Sequence, residues 1–210
     1  MTEIVHPCRR EAFLWLSATG LMLSGCAALN RPDPPQLYVL RPELPATSGA
    51  PVRWRLSVAI PDAMASLDTQ RIALSHTPTT MDYFANAVWA DRVPLLMQRL
   101  LIQAFDNSGR IVAVGRDTSG LENDYLLELE IRDFHARYTQ GGTPAIFVGV
   151  QVKLVKMPDR NISGSVYVSE QSPADSNTLD SIVTAFNRAS GAAISKIVGW
   201  TLSQPGPAGA

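Results

Sequence analysis

The side chains that most often carry catalysis are scarce in this sequence. Beyond residue 25 its histidines are His76, in a Ser-His-Thr-Pro turn, and His135, in Phe-His-Ala-Arg at the end of a predicted strand. No cysteine or second histidine stands at metal-ligand spacing from either one, and no Gly-x-Ser-x-Gly elbow is present. We therefore expect both histidines in solvated loops, and we predict no catalytic residue and no metal site.

The acidic residues indicate solvent-facing surface rather than acid–base chemistry. The segment 117–120, Asp-Thr-Ser-Gly, has one residue more than the Asp-Thr-Gly turn of aspartic proteases and is interpreted as a loop. Glu128 and Glu130 would lie about 7 Å apart on one face of a strand, but they alternate with aliphatic residues, the pattern of a half-buried strand. The net charge of −1 and the dispersed arginines also exclude nucleic acid as a partner. The sequence predicts a protein that is not an enzyme.

The N-terminal segment has the order of a secretory signal. An apolar run at residues 12–25 follows Arg9 and Arg10 and ends in small residues. The run is shorter than the stretch of about 20 apolar residues that a membrane-spanning helix needs. We expect residues 1–25 to be removed as a signal peptide. The alternatives are an ordinary secreted protein, or a buried helix that carries Cys26 by chance.

A specific motif follows the apolar run and resembles the lipobox of bacterial lipoproteins. Leu23, Ser24 and Gly25 stand immediately before Cys26, and by this resemblance they are the residues that the signal peptidase recognises. The resemblance implies an S-diacylglyceryl group and an N-acyl group on Cys26, and we predict no other cofactor. These chains would anchor the protein firmly, since each buried CH₂ contributes about 0.8 kcal/mol. Ala27, where an aspartate would favour inner-membrane retention, implies the outer membrane, with the domain in the periplasm.

Proline content and hydrophobic periodicity divide the remaining chain. Residues 26–36 are rich in proline and are expected to form a flexible tether, residues 37–203 the folded domain, and residues 204–210 a disordered tail. Cleavage would discard Cys8, so no disulfide is available and the domain must be held by its hydrophobic core.

Alternation of apolar and polar residues predicts strands, and spacing of three to four predicts helices. The predicted strands are 37–40, 52–60, 71–75, 111–114, 124–134, 145–155 and 162–170, and the predicted helices are 83–105 and one from Ser176 or Asn177 to about Ser203. Pro94 should mark the first turn of the earlier helix or a kink in it, and Gly109 its end. We predict a two-layer α+β fold: a largely antiparallel sheet with two amphipathic helices packed on one face, preceded by the lipid anchor and tether.

Four aromatic residues near the two helices divide into core and surface. Trp89 and Trp200 fall on the apolar stripes and are predicted to be buried. Tyr83 and Phe84 stand where the first predicted helix begins. These two side chains are the candidates for contact with a partner or with lipid.

These features together resemble the auxiliary lipoproteins of ABC-type transporters. The resemblance covers nearly the whole chain after Gly25: the lipobox, the strand at 37–40, the pattern Tyr83-x-x-Asn86-Ala87-x-Trp89-Ala90, and the closing Ile197-x-x-Trp200. The family has no catalytic motif that could be assigned to residues of this sequence.

The resemblance implies a non-catalytic component of an ABC/MCE-type system that moves phospholipid between membranes. Such a component docks or receives lipid at the periplasmic face of the outer membrane. Its expected partners are membrane lipid through the anchor, a periplasmic MCE-domain protein, and the inner-membrane permease and ATPase. Phospholipid and a second copy of the chain are further candidates. The alternative is a structural lipoprotein that assists the assembly of another envelope complex.

Overall fold

The computed structural model of the chain describes residues 34–44, 49–120, 122–139 and 142–206. The predicted signal peptide, the lipobox with Cys26, and most of the predicted tether lie outside these residues. No helix in the described part of the chain is long and apolar enough to cross a membrane.

Within the described residues, nine strands form one sheet and two α-helices pack against it. The strands are β1 (Gln36–Tyr38), β2 (Arg55–Val58), β3 (Asp62–Ala63), β4 (Arg71–Ser75), β5 (Asp82–Trp89), β6 (Ala113–Arg116), β7 (Tyr125–Arg137), β8 (Ala145–Lys156) and β9 (Asn161–Pro173). The helices are α1 (Val93–Ser108) and α2 (Leu179–Leu202), and a short 3₁₀ turn spans Asp117–Ser119. The predicted two-layer α+β fold is confirmed.

Strand β7 organises the sheet because it is long enough to pair with different strands on its two edges. Along one edge it pairs antiparallel with β8 over its whole length, and β8 pairs antiparallel with β9. Along the other edge it meets three short strands in succession, β2, β3 and β4, all parallel to it. The long ladders are therefore antiparallel, as the alternating runs of the sequence predict. The parallel pairing of the short strands with β7 is not predicted by those runs.

The prediction of a helix over residues 83–105 was wrong at its start. Residues Asp82–Trp89 form strand β5, and α1 begins only at Val93. Pro94 lies in the first turn, because its missing N–H and its ring would disrupt a helix that continued through it from Ala90. The helix ends where the sequence predicts, with Gly109 in the left-handed conformation at φ 61°.

Helix α2 begins close to its predicted position and closes the core. The hydroxyl of Thr178 caps it by accepting a hydrogen bond from the backbone N–H of Ser181, and Asp180 places negative charge in the first turn. Its buried face carries the predicted apolar stripe, including Ile182, Phe186, Ala189, Ala193 and Ile197.

An aromatic cluster fills the space between the helices and the sheet. Trp89 from β5, Phe134 from β7 and Phe186 from α2 are all at least 99% buried. The ring of Trp89 packs edge-on against both phenylalanines, with centroids 6.1 Å from Phe134 and 5.1 Å from Phe186. Trp200 is partly buried against the same core. Trp89 is thus buried as predicted, whereas Trp200 packs against the core but is only partly buried.

The segment 39–44, which we call the arm, crosses from β1 onto α2. The backbone N–H of Arg41 donates to the side-chain oxygen of Asn187 at 2.8 Å. At Gly191 the two backbones approach so closely that a Cβ there would lie 2.9 Å from the carbonyl oxygen of Glu43. The glycine therefore permits the arm to lie directly on the helix.

Candidate functional site

The sheet has a second face, away from the helices, and we call it the outer face. It carries the residues of β7, β8 and β9 that alternate with the buried ones: Glu128, Glu130, Asp133, His135, Arg137, Gln151, Lys153 and Tyr167. Glu128 pairs with Arg160 at 3.0 Å and Glu130 with Arg132 at 3.0 Å. The interpretation of both glutamates as a solvent-facing pair on one strand face holds.

A pocket of about 290 Å³ opens on the outer face beneath the connection between β4 and β5. We call it the loop pocket. One wall is the connection itself, residues 77–81, and the floor is the end of β7 with Arg132, Asp133, His135 and Arg137. Exposed methionines lie at its margin, Met64 with 59% of its surface accessible and Met81 with 37%. The pocket therefore combines cationic groups, one carboxylate, hydroxyls and an apolar margin.

His135 is the central residue of the loop pocket, and its predicted place in a solvated loop was wrong. Its side chain is only 6% exposed, and its Nδ1 lies 3.8 Å from Oδ1 of Asp133 without a hydrogen-bond partner. The imidazole stacks on Phe147 with centroids 6.1 Å apart, and the Arg137 guanidinium lies 3.9 Å from the centre of that ring. The burial comes from residues about sixty positions earlier in the chain.

The pocket also shifts the protonation of this histidine. Burial lowers the pKa of His135 below its ordinary value of 6.5, the carboxylate of Asp133 partly offsets this, and the positive charge of Arg137 lowers it further.

We expect the folding stability to depend on this pKa. Because the folded-state pKa of His135 lies below the unfolded one, the unfolded chain binds more protons as the pH falls. The contribution is fully present above the ordinary histidine pKa of about 6.5 and is lost as the pH falls from there through the folded-state pKa. Urea unfolding above and below this value should show a smaller free energy of unfolding at the lower pH. His135→Gln should flatten that difference, and an unchanged difference would contradict the assignment.

Gly149 of β8 makes room for a side-chain contact across the outer face. The hydroxyl of Tyr167 donates to Oδ2 of Asp133 at 3.2 Å, directly over the glycine. A Cβ at Gly149 would lie 2.5 Å from the Tyr167 hydroxyl and 2.7 Å from Oδ2 of Asp133. No side chain can therefore occupy position 149 while this bond stays as it is.

Gly149→Ala is expected to break the hydrogen bond between Tyr167 and Asp133 and to lower the free energy of unfolding by about 0.5–1.5 kcal/mol, the net contribution of such a bond, because the ends of both side chains can move aside. The matched control is Gly199→Ala on α2, where an added Cβ meets no atom within 4 Å. It should stabilise the protein by about 0.5–1 kcal/mol, because alanine is the better helix former. Urea denaturation of both variants provides the measurement. Equal effects at the two positions would show that the contact over Gly149 does not constrain the fold.

The two aromatic residues predicted as partner contacts lie on β5 and are half-buried. The hydroxyl of Tyr83 donates to the carbonyl of Ser66 at 3.2 Å, and the Arg71 guanidinium stacks 3.6 Å from its ring centre. Phe84 lies 6.5 Å from Tyr138.

A bulge in β5 accompanies these residues and was not predicted. Tyr83 pairs with Ala73, and Val88 pairs with Arg71. Between these two pairs, β5 therefore contains more residues than β4 does. Asn86 adopts φ 54°, a left-handed conformation that asparagine tolerates better than most residues. Ala85 and Asn86 are exposed at this bulge. An asparagine within an otherwise strand-like sequence was the available signal.

The remaining predicted site residues lie outside the described residues, namely Cys26 and the recognition residues Leu23, Ser24 and Gly25. The described part of the chain contains no group of three or more histidine, cysteine or acidic residues that could hold a metal ion.

The described residues form a two-layer α+β domain. The chain belongs to the family of ABC-type transport auxiliary lipoprotein components, whose family model matches residues 38–198. This confirms the resemblance seen in the sequence.

Individual proteins resemble this chain in sequence or in fold. A crystal structure of a Xanthomonas campestris protein of the family DUF330 has 28% identity and a TM-score of 0.75, covering 80% of this chain and 94% of that one. A second crystal structure, of an uncharacterized protein, shares the fold at 14% identity and a TM-score of 0.64, covering 81% of this chain and all of that one. An uncharacterized Bradyrhizobium diazoefficiens protein is 30% identical over 149 residues, which are 70% of this chain and 39% of that relative's length.

Proposed function

We propose that this chain is the non-catalytic lipoprotein of an MCE-type phospholipid transport system. It is anchored through Cys26 in the outer membrane, with its domain in the periplasm, and it docks the periplasmic MCE protein there. This links the outer membrane to the inner-membrane permease and ATPase. The observation that carries the proposal is membership of the ABC-type auxiliary lipoprotein family over residues 38–198.

The filled interior favours docking over carriage of lipid inside the domain. The space between sheet and helices is occupied by the aromatic cluster and by aliphatic side chains that are almost completely buried. Four open pockets on the described residues measure about 290 to 610 Å³. Drug-sized ligands, which are smaller than a phospholipid, already occupy about 300–1,000 Å³. The domain thus positions its partner, and the lipid moves along that partner.

We place the partner contact at the β5 bulge, next to Tyr83 and Phe84. Both aromatic rings are half-buried, so each presents one edge at the surface while its other contacts hold it in place. Ala85 and Asn86 are exposed beside them and carry no charge. The Arg71 guanidinium stacked on Tyr83 adds one positive charge, and both aromatic residues and arginine are enriched at the centre of protein interfaces.

Ala85→Arg is expected to abolish co-elution of the purified domain with the MCE protein, because it places a charged side chain in the centre of the contact. The matched control is Ala192→Arg on the exposed side of α2, which adds the same side chain away from the bulge. Size-exclusion chromatography of the mixed proteins gives the measurement. If both variants lost co-elution equally, the β5 bulge would not be the site of the partner contact.

Deletion of the whole protein tests the function in the cell. We expect altered outer-membrane lipid asymmetry and greater detergent sensitivity. A normal barrier together with no binding to an MCE protein would overturn the proposed function. Co-purification with a different envelope complex would identify a structural lipoprotein instead.

A further inference from the structure

The loop pocket contains a buried polar atom without a partner, which marks it as a site rather than a surface depression. Buried polar atoms in proteins are nearly always hydrogen-bonded, so the unpaired Nδ1 of His135 requires an explanation. The side chain is 6% exposed and lines the pocket. Its stacking on Phe147 and the packing of Arg137 on the same ring fix the imidazole in this orientation.

The charges around His135 favour an anion. Two guanidinium groups, those of Arg132 and Arg137, line the pocket against one carboxylate, that of Asp133, and Arg132 also pairs with Glu130 at 3.0 Å outside the pocket lining. One oxygen of that carboxylate already accepts from Tyr167, and its other oxygen lies 4.0 Å from Arg137. Guanidinium groups bind phosphoryl oxygens through strong charge-assisted hydrogen bonds. A cation would meet both arginines and is disfavoured.

The wall and the margin of the loop pocket indicate which class of anion it would bind. Along the wall, the hydroxyl of Thr77 lies 3.4 Å from that of Thr79 and 2.7 Å from that of Thr80, and these hydroxyls can donate to an anion. The volume of about 290 Å³ suits a small polar group rather than a folded peptide segment. Met64 and Met81 give the margin the adaptable apolar surface that the glycerol and acyl part of a lipid would contact.

We propose that the loop pocket binds a phosphoryl group, that of a phospholipid headgroup or of free phosphate, through Arg132, Arg137 and the imidazole of His135. The headgroup form rests on the proposed function, in which the domain works beside transported phospholipid. The phosphoryl chemistry itself stands on the pocket alone.

Binding can be measured on the chain that begins at residue 26 with Cys26→Ser, because the buried core runs from Leu40 to Leu202 and is retained. Histidine ring resonances are followed by NMR during titration with inorganic phosphate and, separately, with soluble dihexanoyl phosphatidylglycerol. The ring of His135 should respond, while His76, which stacks on Tyr138 and does not line the pocket, serves as an internal reference.

Arg137→Gln and Arg132→Gln should each weaken binding about tenfold or more, the effect of losing one hydrogen bond to a charged group. Arg160→Gln removes the same charge from the outer face beyond the pocket and should leave binding unchanged. A response to the lipid alone identifies a headgroup site, and a response to phosphate alone a free-phosphate site.

The proposal is overturned if neither probe moves the His135 ring, or if Arg160→Gln weakens binding as much as the pocket variants. Circular dichroism confirms that each variant is folded. Because no MCE protein takes part, failure here leaves the docking function intact, and failure of co-elution leaves the pocket intact.

Discussion

Replacing Trp89 by alanine is expected to lower the free energy of unfolding by about 3–5 kcal/mol, the range observed for large aromatic residues removed from a packed core. Trp89 is completely buried and contacts one phenylalanine from the sheet and one from α2. Its loss would leave a cavity where β5, β7 and α2 meet. Urea denaturation followed by circular dichroism measures the change.

Two further variants separate packing from other effects at this position. The indole Nε1 of Trp89 is buried without a hydrogen-bond partner in the described structure, so Trp89→Phe loses no hydrogen bond and should destabilise less than alanine. Leu37→Ala removes a side chain that is 62% exposed on neighbouring β1 and should change stability by at most about 0.5 kcal/mol. If alanine at position 89 cost no more than alanine at position 37, the aromatic cluster would not be the centre of the core.

Replacing Cys26 by serine is expected to release the protein from the membrane completely. Serine lacks the thiol that forms the thioether with diacylglycerol, and without that group the anchoring by acyl-chain burial is lost. The domain itself should fold unchanged, because Leu40 is the first buried hydrophobic residue in the described part of the chain. Membrane flotation and fractionation of cell lysates provide the measurement.

Cys8→Ser is the matched control, since Cys8 lies within the predicted signal peptide and should be discarded with it. That variant should remain in the membrane fraction. If the Cys26→Ser protein floated with membranes and kept full activity, the lipoprotein anchor would lie elsewhere.

Sequence periodicity predicts those parts of the fold whose residues meet solvent on one side and core on the other. The strand Arg71–Ser75 has the predicted bounds, and β7 and β8 match their alternating runs within a few residues. Residues 83–89 were misassigned because Trp89, Val93 and Leu96 are spaced as on one helix face. Trp89 reaches the same core from a strand, and spacing alone cannot distinguish the two.

The loop pocket could not be predicted, because its parts are distant in sequence. Residues 77–81 cover His135 only after β4 has paired with the far end of β7, and no local pattern encodes that pairing. The role of Gly149 is equally non-local, since it depends on Tyr167 and Asp133 from two flanking strands. The bulge at Asn86 has one local signal in the sequence, because asparagine adopts the left-handed backbone conformation more readily than most residues.

The route of the arm determines how mechanical load enters the domain. A pull transmitted from residue 34 acts first on β1, whose parallel ladder with β5 joins Gln36, Leu37 and Tyr38 to residues 87–89. It next acts on the arm's contacts with Asn187 and Gly191 of α2. The two attachments carry tension one after the other. We therefore expect the domain to yield first at the pairing of β1 with β5, which ends at Trp89, and only afterwards in the aromatic cluster.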